Sequence, residues 1–185
     1  MIDINEFYLV NYCHPNCTPL KNIMRLPKEE AFTFAYEMAK NNPTTTAFYR
    51  FADFENYYDL RRKQDQFLYD MFVSLGGKPK ETHPLSFVLQ GSEFLKQWFG
   101  NGTVTKLLLT HIPSEFISFT LGDSGAIYQR TGTVTMLTKE RLYQKIIDFK
   151  GSLEAFMKEI SEKHYYIEVQ LWNDHYLNDI IWEEN

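Results

Sequence analysis

Hydrophobic residues recur along this chain with two spacings, which predict two kinds of secondary structure. Spacings of three and four residues are typical of one helix face, and they predict helices over residues 27–42, 60–75, 92–99, 139–149 and 153–163. Short apolar, β-branched and aromatic runs are typical of strands, and they predict strands over residues 5–13, 22–26, 44–51, 86–90, 104–112, 116–124, 133–137 and 165–172. Three of these strands fall within residues 83–124, so this central stretch is predicted to be interior sheet.

Glycine, proline and short polar segments separate these elements. Residues 53–59 are predicted to form an irregular connection, residues 125–132 a loop or hairpin, and the residues after 172 a tail packed through its apolar side chains. Helices and strands are interspersed without the regular alternation of a doubly wound fold. The order predicts an α+β fold, with a mixed, largely antiparallel sheet, twisted or split, flanked by helices. The length of 185 residues favours a single globular domain over residues 1–185.

The charge, the aromatic content and the lack of long apolar runs indicate which classes of partner the protein can have. A net charge of −5 argues against sequence-independent binding of nucleic acid, which needs a positive surface. The aromatic content of 16% is high, and Tyr and Trp often line ligand sites and interfaces. No apolar run approaches the roughly 20 residues that span a bilayer, and the first residues lack the features of a signal peptide. We therefore expect a cytoplasmic protein that does not associate with membranes.

Glu168 is the most informative single candidate. Strict alternation in the predicted strand 165–172 places Tyr166, Glu168 and Gln170 on one face of a sheet. A carboxylate among aromatic neighbours suits a catalytic or ligand-orienting group, whose pKa would rise through loss of water and fall beside a cation. The competing interpretation is a half-exposed strand with a polar outer face.

Two basic segments are candidates for anion binding. Arg50 lies in a predicted strand beside Tyr49, and a guanidinium can hold a phosphate through two hydrogen bonds. The alternative for Arg50 is an ordinary surface ion pair. Arg61 and Arg62 open a predicted helix, where positive charge opposes the helix dipole, and we interpret them as a solvated turn.

Two strand ends carry further polar residues. The segment Gly122–Asp123–Ser124 ends a predicted strand, and its backbone N–H groups with Asp123 and Ser124 suit a phosphate or ribose, although a capped turn explains them equally. His14 follows the first predicted strand and could contact a ligand there. Cys13, His14 and Cys17 fall short of a structural zinc set. We expect no metal and free thiols.

Motifs of several large enzyme classes are missing from the chain. It has no glycine-rich phosphate loop of the Walker type, no dinucleotide G-x-G-x-x-G, no H-E-x-x-H and no G-x-S-x-G. These absences disfavour a P-loop ATPase, a Rossmann dehydrogenase, a zinc protease of that type and an α/β-hydrolase.

The order of elements resembles the ADP-ribosyltransferase fold superfamily. An early strand, YLVNYC, ends at His14, and FYRF supplies Arg50 as a competing counterpart. The strand SFVLQGS contains Ser86 and Phe87, and the late strand YIEVQLW contains Glu168. The chain departs from the toxin-type branch, which has Glu or Gln two residues before its catalytic Glu, and it has no clear Ser-Thr-Ser strand.

The resemblance implies an NAD-dependent transferase acting on a macromolecular target. His14 or Arg50 would hold NAD, Ser86 or Phe87 would shape the nicotinamide pocket, and Glu168 would stabilise the positive charge on the ribose. Nearby tyrosines such as Tyr49 would stack on nicotinamide or adenine. Arg50 or the turn at residues 122–124, with Asp123 and Ser124, would hold the pyrophosphate.

Two other classes of function fit the same sequence. A non-enzymatic protein-interaction or toxin-neutralising module suits the acidic balance, the abundant aromatic residues and the missing motifs. An exposed aromatic and acidic patch, with no deep pocket around Glu168, would favour it. A third class is a nucleotide-handling enzyme that uses Asp123 and Glu168 with a divalent metal.

Overall fold

One antiparallel sheet organises the protein. The structure, a computed structural model, describes residues 6–183. Its strands are β1 (Tyr8–Cys13), β2 (Leu85–Leu89), β3 (Thr103–Leu108), β4 (Ile117–Leu121), β5 (Met136–Leu137), β6 (Ile167–Leu171) and β7 (Ile181–Trp182). They lie in the order β5-β4-β6-β2-β1-β3-β7, and each pair of neighbours is antiparallel. The predicted α+β class and the largely antiparallel sheet are confirmed.

Six α-helices of the described region connect and cover the strands. They are α1 (Lys28–Asn41), α2 (Phe54–Ser74), α3 (Glu93–Trp98), α4 (Ser124–Thr131), α5 (Lys139–Asp148) and α6 (Leu153–His164). Side-chain oxygens of Ser92, Asp123, Thr138 and Ser152 accept backbone hydrogen bonds at the first turns of α3 to α6. These caps satisfy N–H groups that have no partner within the helix. No helix within residues 6–183 is both long and apolar enough to cross a membrane.

One face of the sheet carries the main apolar core. Alternate residues of β6 — Ile167, Val169 and Leu171 — are fully buried there, as the strand period of two requires. Helices α5 and α6 cover this face with Leu142, Ile146, Phe156 and Ile160. We call it the α5–α6 face.

The opposite face of the sheet is covered by α2, and its apolar side chains form two separate clusters instead of one core. Near its C-terminal end, α2 packs Leu68 and Phe72 against Trp172, whose ring is stacked on that of Phe72. Near its N-terminal end, α2 packs Phe54 and Tyr58 against α1. The middle of α2 lies between these two apolar clusters. We call this the α2 face, and the candidate site lies on it.

Residues 44–59 do not fold as their composition predicts. The predicted strand 44–51 is a 3-10 helix, Thr46–Asp53, and the predicted irregular connection 53–59 is the start of α2. Phe48, Phe51 and Phe54 recur every three residues, which matches the 3-10 period, and their rings contact one another in series. Packing of these rings therefore overrides the β propensity of the segment.

Two other local predictions are wrong, and a third is confirmed only in part. Residues 22–26 form a 3-10 turn, Ile23–Arg25, because the Asn22 side chain accepts from the Met24 N–H and favours a turn over a strand. The predicted loop 125–132 is helix α4, capped by Asp123 and ended by Gly132 at φ 71°. The last apolar pair, Ile181 and Trp182, is exposed in the edge strand β7, although the tail before it packs on the core.

The centre of the sheet is loosely joined between β1 and β2. The β1–β2 ladder consists of two residue pairs, Leu9 with Leu89 and Val10 with Val88, whereas β1 and β3 share six pairs. Beyond Val10 the Asn11 side-chain amide donates to the Ser86 carbonyl at 3.0 Å and replaces a ladder bond. The strands therefore separate next to Ser86.

Candidate functional site

A polar segment in the middle of α2 faces the sheet. Because the helix begins at Phe54 rather than at residue 60, Arg61, Gln64 and Asp65 lie one to two turns after Tyr58 on its inner side. Gln64 is 4% exposed and Asp65 is 1% exposed. Buried polar side chains need partners. Gln64 donates to the Ser124 hydroxyl in α4, and the Asp65 carboxylate contacts His83, in the segment before β2, and Arg61 on the same helix.

Glu168 lies opposite this segment on β6. Its carboxylate accepts hydrogen bonds from the Ser124 N–H at 2.6 Å, from the Ser86 hydroxyl at 3.3 Å and from the Thr120 hydroxyl at 3.5 Å. Burial, together with the nearby negative charge of Asp123, raises the pKa of Glu168 to about 7. The hydrogen bonds from Ser124 and the charge of Arg61 act in the opposite direction. Glu168 therefore changes its ionisation state in the neutral pH range.

The first turn of α4 fixes one side of the Glu168 carboxylate. Asp123 caps the helix by accepting from the Ala126 N–H at 2.9 Å, which leaves the Ser124 N–H free for Glu168. Burial and the charges of Asp123 and Glu168 raise the pKa of Tyr166, so its hydroxyl stays protonated. The sequence analysis assigned Ser124, with Asp123, to a strand-end turn and Glu168 to a separate strand, and the structure brings Ser124 and Glu168 into contact.

Arg61 supplies a positive charge beside this carboxylate. Its Nη1 donates to the Tyr57 hydroxyl at 3.0 Å, and its Nη2 lies 3.5 Å from the Asp65 carboxylate. Burial opposes the charged form, but the neighbouring Tyr57 and Asp65 groups hold the pKa of Arg61 above its ordinary value. The buried Nε has no hydrogen-bond partner among residues 6–183. The interpretation of Arg61 as a solvated residue is wrong, because the helix starts two turns earlier.

Asp65 also orients a histidine that the sequence did not indicate. The Asp65 carboxylate lies 2.7 Å from His83 Nδ1, and the His83 side chain is 21% exposed while that of Asp65 is 2% exposed. A buried carboxylate on Nδ1 fixes the ring and leaves Nε2 for another partner. Asp65 and His83 are 18 residues apart, so no local motif pairs them.

Ser86 marks an opening above the sheet. It lies in β2, the central strand, yet it is exposed while Leu85, Phe87 and Val88 around it are buried. Its hydroxyl is the Glu168 partner described above. The α2 face is therefore exposed to solvent at Ser86, whose hydroxyl contacts the Glu168 carboxylate.

A buried row of hydrogen bonds supports the far side of the site. Gln170, next on the same face of β6, accepts from the Ser118 hydroxyl at 2.8 Å and donates to the Thr120 hydroxyl at 3.1 Å. Trp172 Nε1 donates to the Ser118 hydroxyl at 2.8 Å. The alternation predicted for this strand is present, but a helix layer covers its polar face except at the opening beside Ser86.

Arg50 and Tyr49 lie beside the site but are not on a strand. The Arg50 guanidinium lies over the rings of Tyr49 and Tyr57, at 5.3 and 5.4 Å from their centroids, and the Arg61 guanidinium lies 5.8 Å from the Tyr57 centroid. Two guanidinium groups thus share the Tyr57 ring. The prediction that Arg50 lies in a strand is wrong, because the segment Thr46–Asp53 is a 3-10 helix.

His14 and Phe87 lie away from Glu168. The His14 ring packs edge-to-face on Phe48 at 4.8 Å, and its Nδ1 accepts from the Asn16 N–H, while burial lowers its pKa. Phe87 is 1% exposed in the core of the α5–α6 face, opposite Ser86. Of the pair Ser86 and Phe87, the serine alone shares the face of Glu168.

No metal site emerges from the described residues. Within residues 6–183, no three His, Cys, Asp or Glu side chains are grouped closely enough to hold a metal ion. Cys13 and Cys17 are free, and burial raises the pKa of Cys13 to about 11. One surface depression of about 740 Å³ is lined by residues 32–41 of α1, and another of about 170 Å³ lies beside Gly76 and Gly77. Neither of the two is lined by Glu168.

Comparisons of the chain with protein-family models, with curated proteins and with solved structures gave no match. The resemblance to ADP-ribosyltransferases therefore rests on the order of elements alone. What this site does has to be argued from its own chemistry.

Proposed function

We propose that the protein is an enzyme in which Glu168 acts on a phosphate-bearing substrate bound at the opening beside Ser86. The observation that carries the proposal is the placement of Glu168. Its carboxylate accepts from the exposed Ser86 hydroxyl and the Ser124 N–H and lies near the half-buried Arg61 guanidinium, and its pKa is raised to about 7. A group with a pKa near the working pH is suited to proton transfer. Perturbed carboxylates of this kind concentrate at functional sites.

The first substrate to test is NAD, with transfer of its ADP-ribosyl group. Breaking the bond between ribose C1′ and nicotinamide leaves the electron pair on nicotinamide and positive charge on the ribose. Ionised Glu168 stabilises that charge and then takes the proton from the hydroxyl or water oxygen that bonds to C1′. A fixed carboxylate in a partly dry site is effective because no solvent has to reorganise.

The two guanidinium groups on Tyr57 suit the pyrophosphate of such a substrate. Arg61 has a buried Nε without a partner, and Arg50 forms no ion pair with a carboxylate of residues 6–183. Arginine binds phosphate oxygens through paired hydrogen bonds. An anion between these groups would also relieve the repulsion between two cations on one ring.

The test is release of nicotinamide from NAD by the purified protein, with Glu168→Gln as the decisive variant. Gln keeps the shape of the side chain and removes its charge, so we expect a loss of turnover of roughly 100-fold or more. Glu37→Gln, on the exposed side of α1, is the matched control and should be fully active. Wild-type turnover should increase with pH through about 7 as Glu168 ionises.

Three results would contradict the proposal. They are equal turnover in the Glu168→Gln variant, turnover that falls as pH rises through about 7, and no nicotinamide release by the wild type with water or added protein as acceptor. Arg50→Gln should raise the concentration of NAD needed for half-maximal rate, because it removes a phosphate ligand and leaves Glu168 in place.

A non-enzymatic interaction module is the second candidate function. It is favoured by the edge strand β7, where Ile181 is 47% exposed and Trp182 is 56% exposed. An apolar edge strand can pair with a strand of another protein. Absence of NAD turnover, together with loss of a partner complex on Trp182→Ala, would support this candidate over the enzyme.

A further inference from the structure

Four aromatic rings form a continuous exposed series on the surface. Tyr49 contacts Trp98 with 6.1 Å between ring centroids, Trp98 contacts Phe94 at 5.9 Å, and Phe94 contacts Tyr165 at 5.8 Å. We call these four residues the aromatic ladder. They come from the 3-10 helix before α2, from α3 and from the residue that ends α6. Rings from separate parts of the chain therefore meet at one surface.

The ladder is exposed to an unusual degree for residues of this type. Tyr49 is 56% exposed, Phe94 is 50% exposed and Tyr165 is 70% exposed. Large exposed apolar patches on soluble proteins mark binding surfaces. A ring face that is already held in place loses little entropy when another ring stacks on it.

Tyr165 has a strained backbone conformation, and its ring is exposed to solvent. Its φ of 69° and ψ of −45° lie in a region that residues with a Cβ seldom adopt. Such strain persists where the surrounding structure requires it, and it is concentrated at functional positions. A glycine would fill this position without strain but would remove the last ring of the ladder.

One end of the ladder contacts the Arg50 guanidinium, and the other end lies close to Glu168 along the chain. Tyr165 precedes Glu168 by three residues, which is about 10 Å along an extended chain. At the other end, Tyr49 lies under the guanidinium of Arg50, which shares the Tyr57 ring with Arg61. The ladder thus begins at the Arg50 guanidinium, and its last ring belongs to a residue three positions before Glu168 in the chain.

We infer that the aromatic ladder binds the adenosine half of the dinucleotide substrate, with its phosphates at Arg50 and Arg61. A planar base matches the exposed rings, and an anionic phosphate matches a guanidinium that has no carboxylate partner among residues 6–183. The net charge of −5 and the two guanidinium groups at Tyr57, of which Arg61 is already paired with Asp65, suit one pyrophosphate rather than a long polyanion. The identity of the dinucleotide rests on the proposed function.

The experiment is a titration of ADP-ribose, which contains the adenosine and both phosphates but has no bond to cleave. Binding is followed by calorimetry and by the fluorescence of Trp98, with Trp98→Phe used to assign the signal. Phe94→Ala and Tyr165→Gly should each weaken ADP-ribose binding by roughly tenfold to a hundredfold, as loss of one stacked ring does. Tyr36→Ala, which removes a ring that is 65% exposed on α1, is the matched control and should bind as the wild type does.

Two results would overturn the inference. One is ADP-ribose affinity within twofold of the wild type in both ladder variants, with unchanged far-UV circular dichroism. The other is no ADP-ribose binding by the wild type at millimolar concentration.

Glu168→Gln separates this inference from the proposed function. If ADP-ribose binding depends on the ladder but Glu168→Gln does not reduce turnover, the proposed reaction fails and the binding site stands. If Glu168→Gln abolishes NAD turnover while the ladder variants bind normally, the reaction stands and the ladder does not hold adenosine.

Discussion

Replacing Glu168 with Gln probes the electrostatics of the site without any substrate. In the folded protein burial and Asp123 raise the pKa of Glu168 from 4.5 to about 7. Between these two values the folded state binds a proton that the unfolded state releases. Ionisation of Glu168 therefore opposes folding, and its contribution lowers the stability as the pH rises through this window.

The size of the effect follows from the two pKa values. Linkage predicts that the stability of the wild type relative to Glu168→Gln falls by about 2–3 kcal/mol between about pH 5 and about pH 8. Gln stays neutral and can still accept the Ser124 N–H, so the variant does not share this loss. For a chain of this length the difference corresponds to roughly 5–10 °C in melting temperature.

The assay is urea denaturation of the wild type and of Glu168→Gln at both pH values, with Glu37→Gln as the exposed control. Taking the difference between the two proteins removes the pH dependence of every other group that the substitution leaves unchanged. A difference that is constant within about 0.5 kcal/mol would refute the electrostatic description. A difference of the opposite sign would show that Ser124 and Arg61 favour the carboxylate more than burial and Asp123 oppose it.

Three further substitutions test the structure around the site. Asp65→Ala leaves Arg61 without its counter-charge and His83 Nδ1 without its hydrogen-bond partner. We expect a loss of about 3–5 kcal/mol in denaturant unfolding, against less than about 0.5 kcal/mol for the exposed Asp70→Ala on the same helix. Trp172→Phe removes the donor to the Ser118 hydroxyl and leaves a void, which should lower the unfolding free energy by about 1–3 kcal/mol; an unchanged value would contradict that hydrogen bond. Tyr165→Gly should raise the unfolding free energy by about 1 kcal/mol, since it relieves the strained φ, and a clear loss of stability would mean that the exposed ring contributes more than the strain costs.

Local pattern determined most of the elements and the face of the key residue. Apolar periodicity located α1, α5 and α6, and short β-branched runs located β2, β4 and β6. Alternation alone assigned Glu168 and Gln170 to one face of β6 and Val169 to the other. These predictions succeed because helix and strand periods are properties of the backbone, which every residue of the element shares.

Tertiary packing decided where the local signals conflicted. The aromatic, β-branched residues 44–51 favour a strand by propensity, but Phe48, Phe51 and Phe54 stack with one another and against α1, and the chain becomes helical. The start of α2 at Phe54 then turns Arg61 and Asp65 inward. A preference of a few tenths of a kcal/mol per residue is outweighed by the burial of several rings.

The composition of the site was decided by the tertiary structure as well. Asp65 meets His83, Ser124 meets Glu168 and Gln64 meets Ser124 across separations of 18, 44 and 60 residues. Three facts came from the sequence alone: Glu168 is a carboxylate on one face of a sheet, the chain has a net charge of −5, and it lacks the motifs of the large enzyme classes named above. Which groups surround that carboxylate, and hence its pKa, depended on distances that only the folded chain establishes, because electrostatic effects depend on separation and burial rather than on order along the chain.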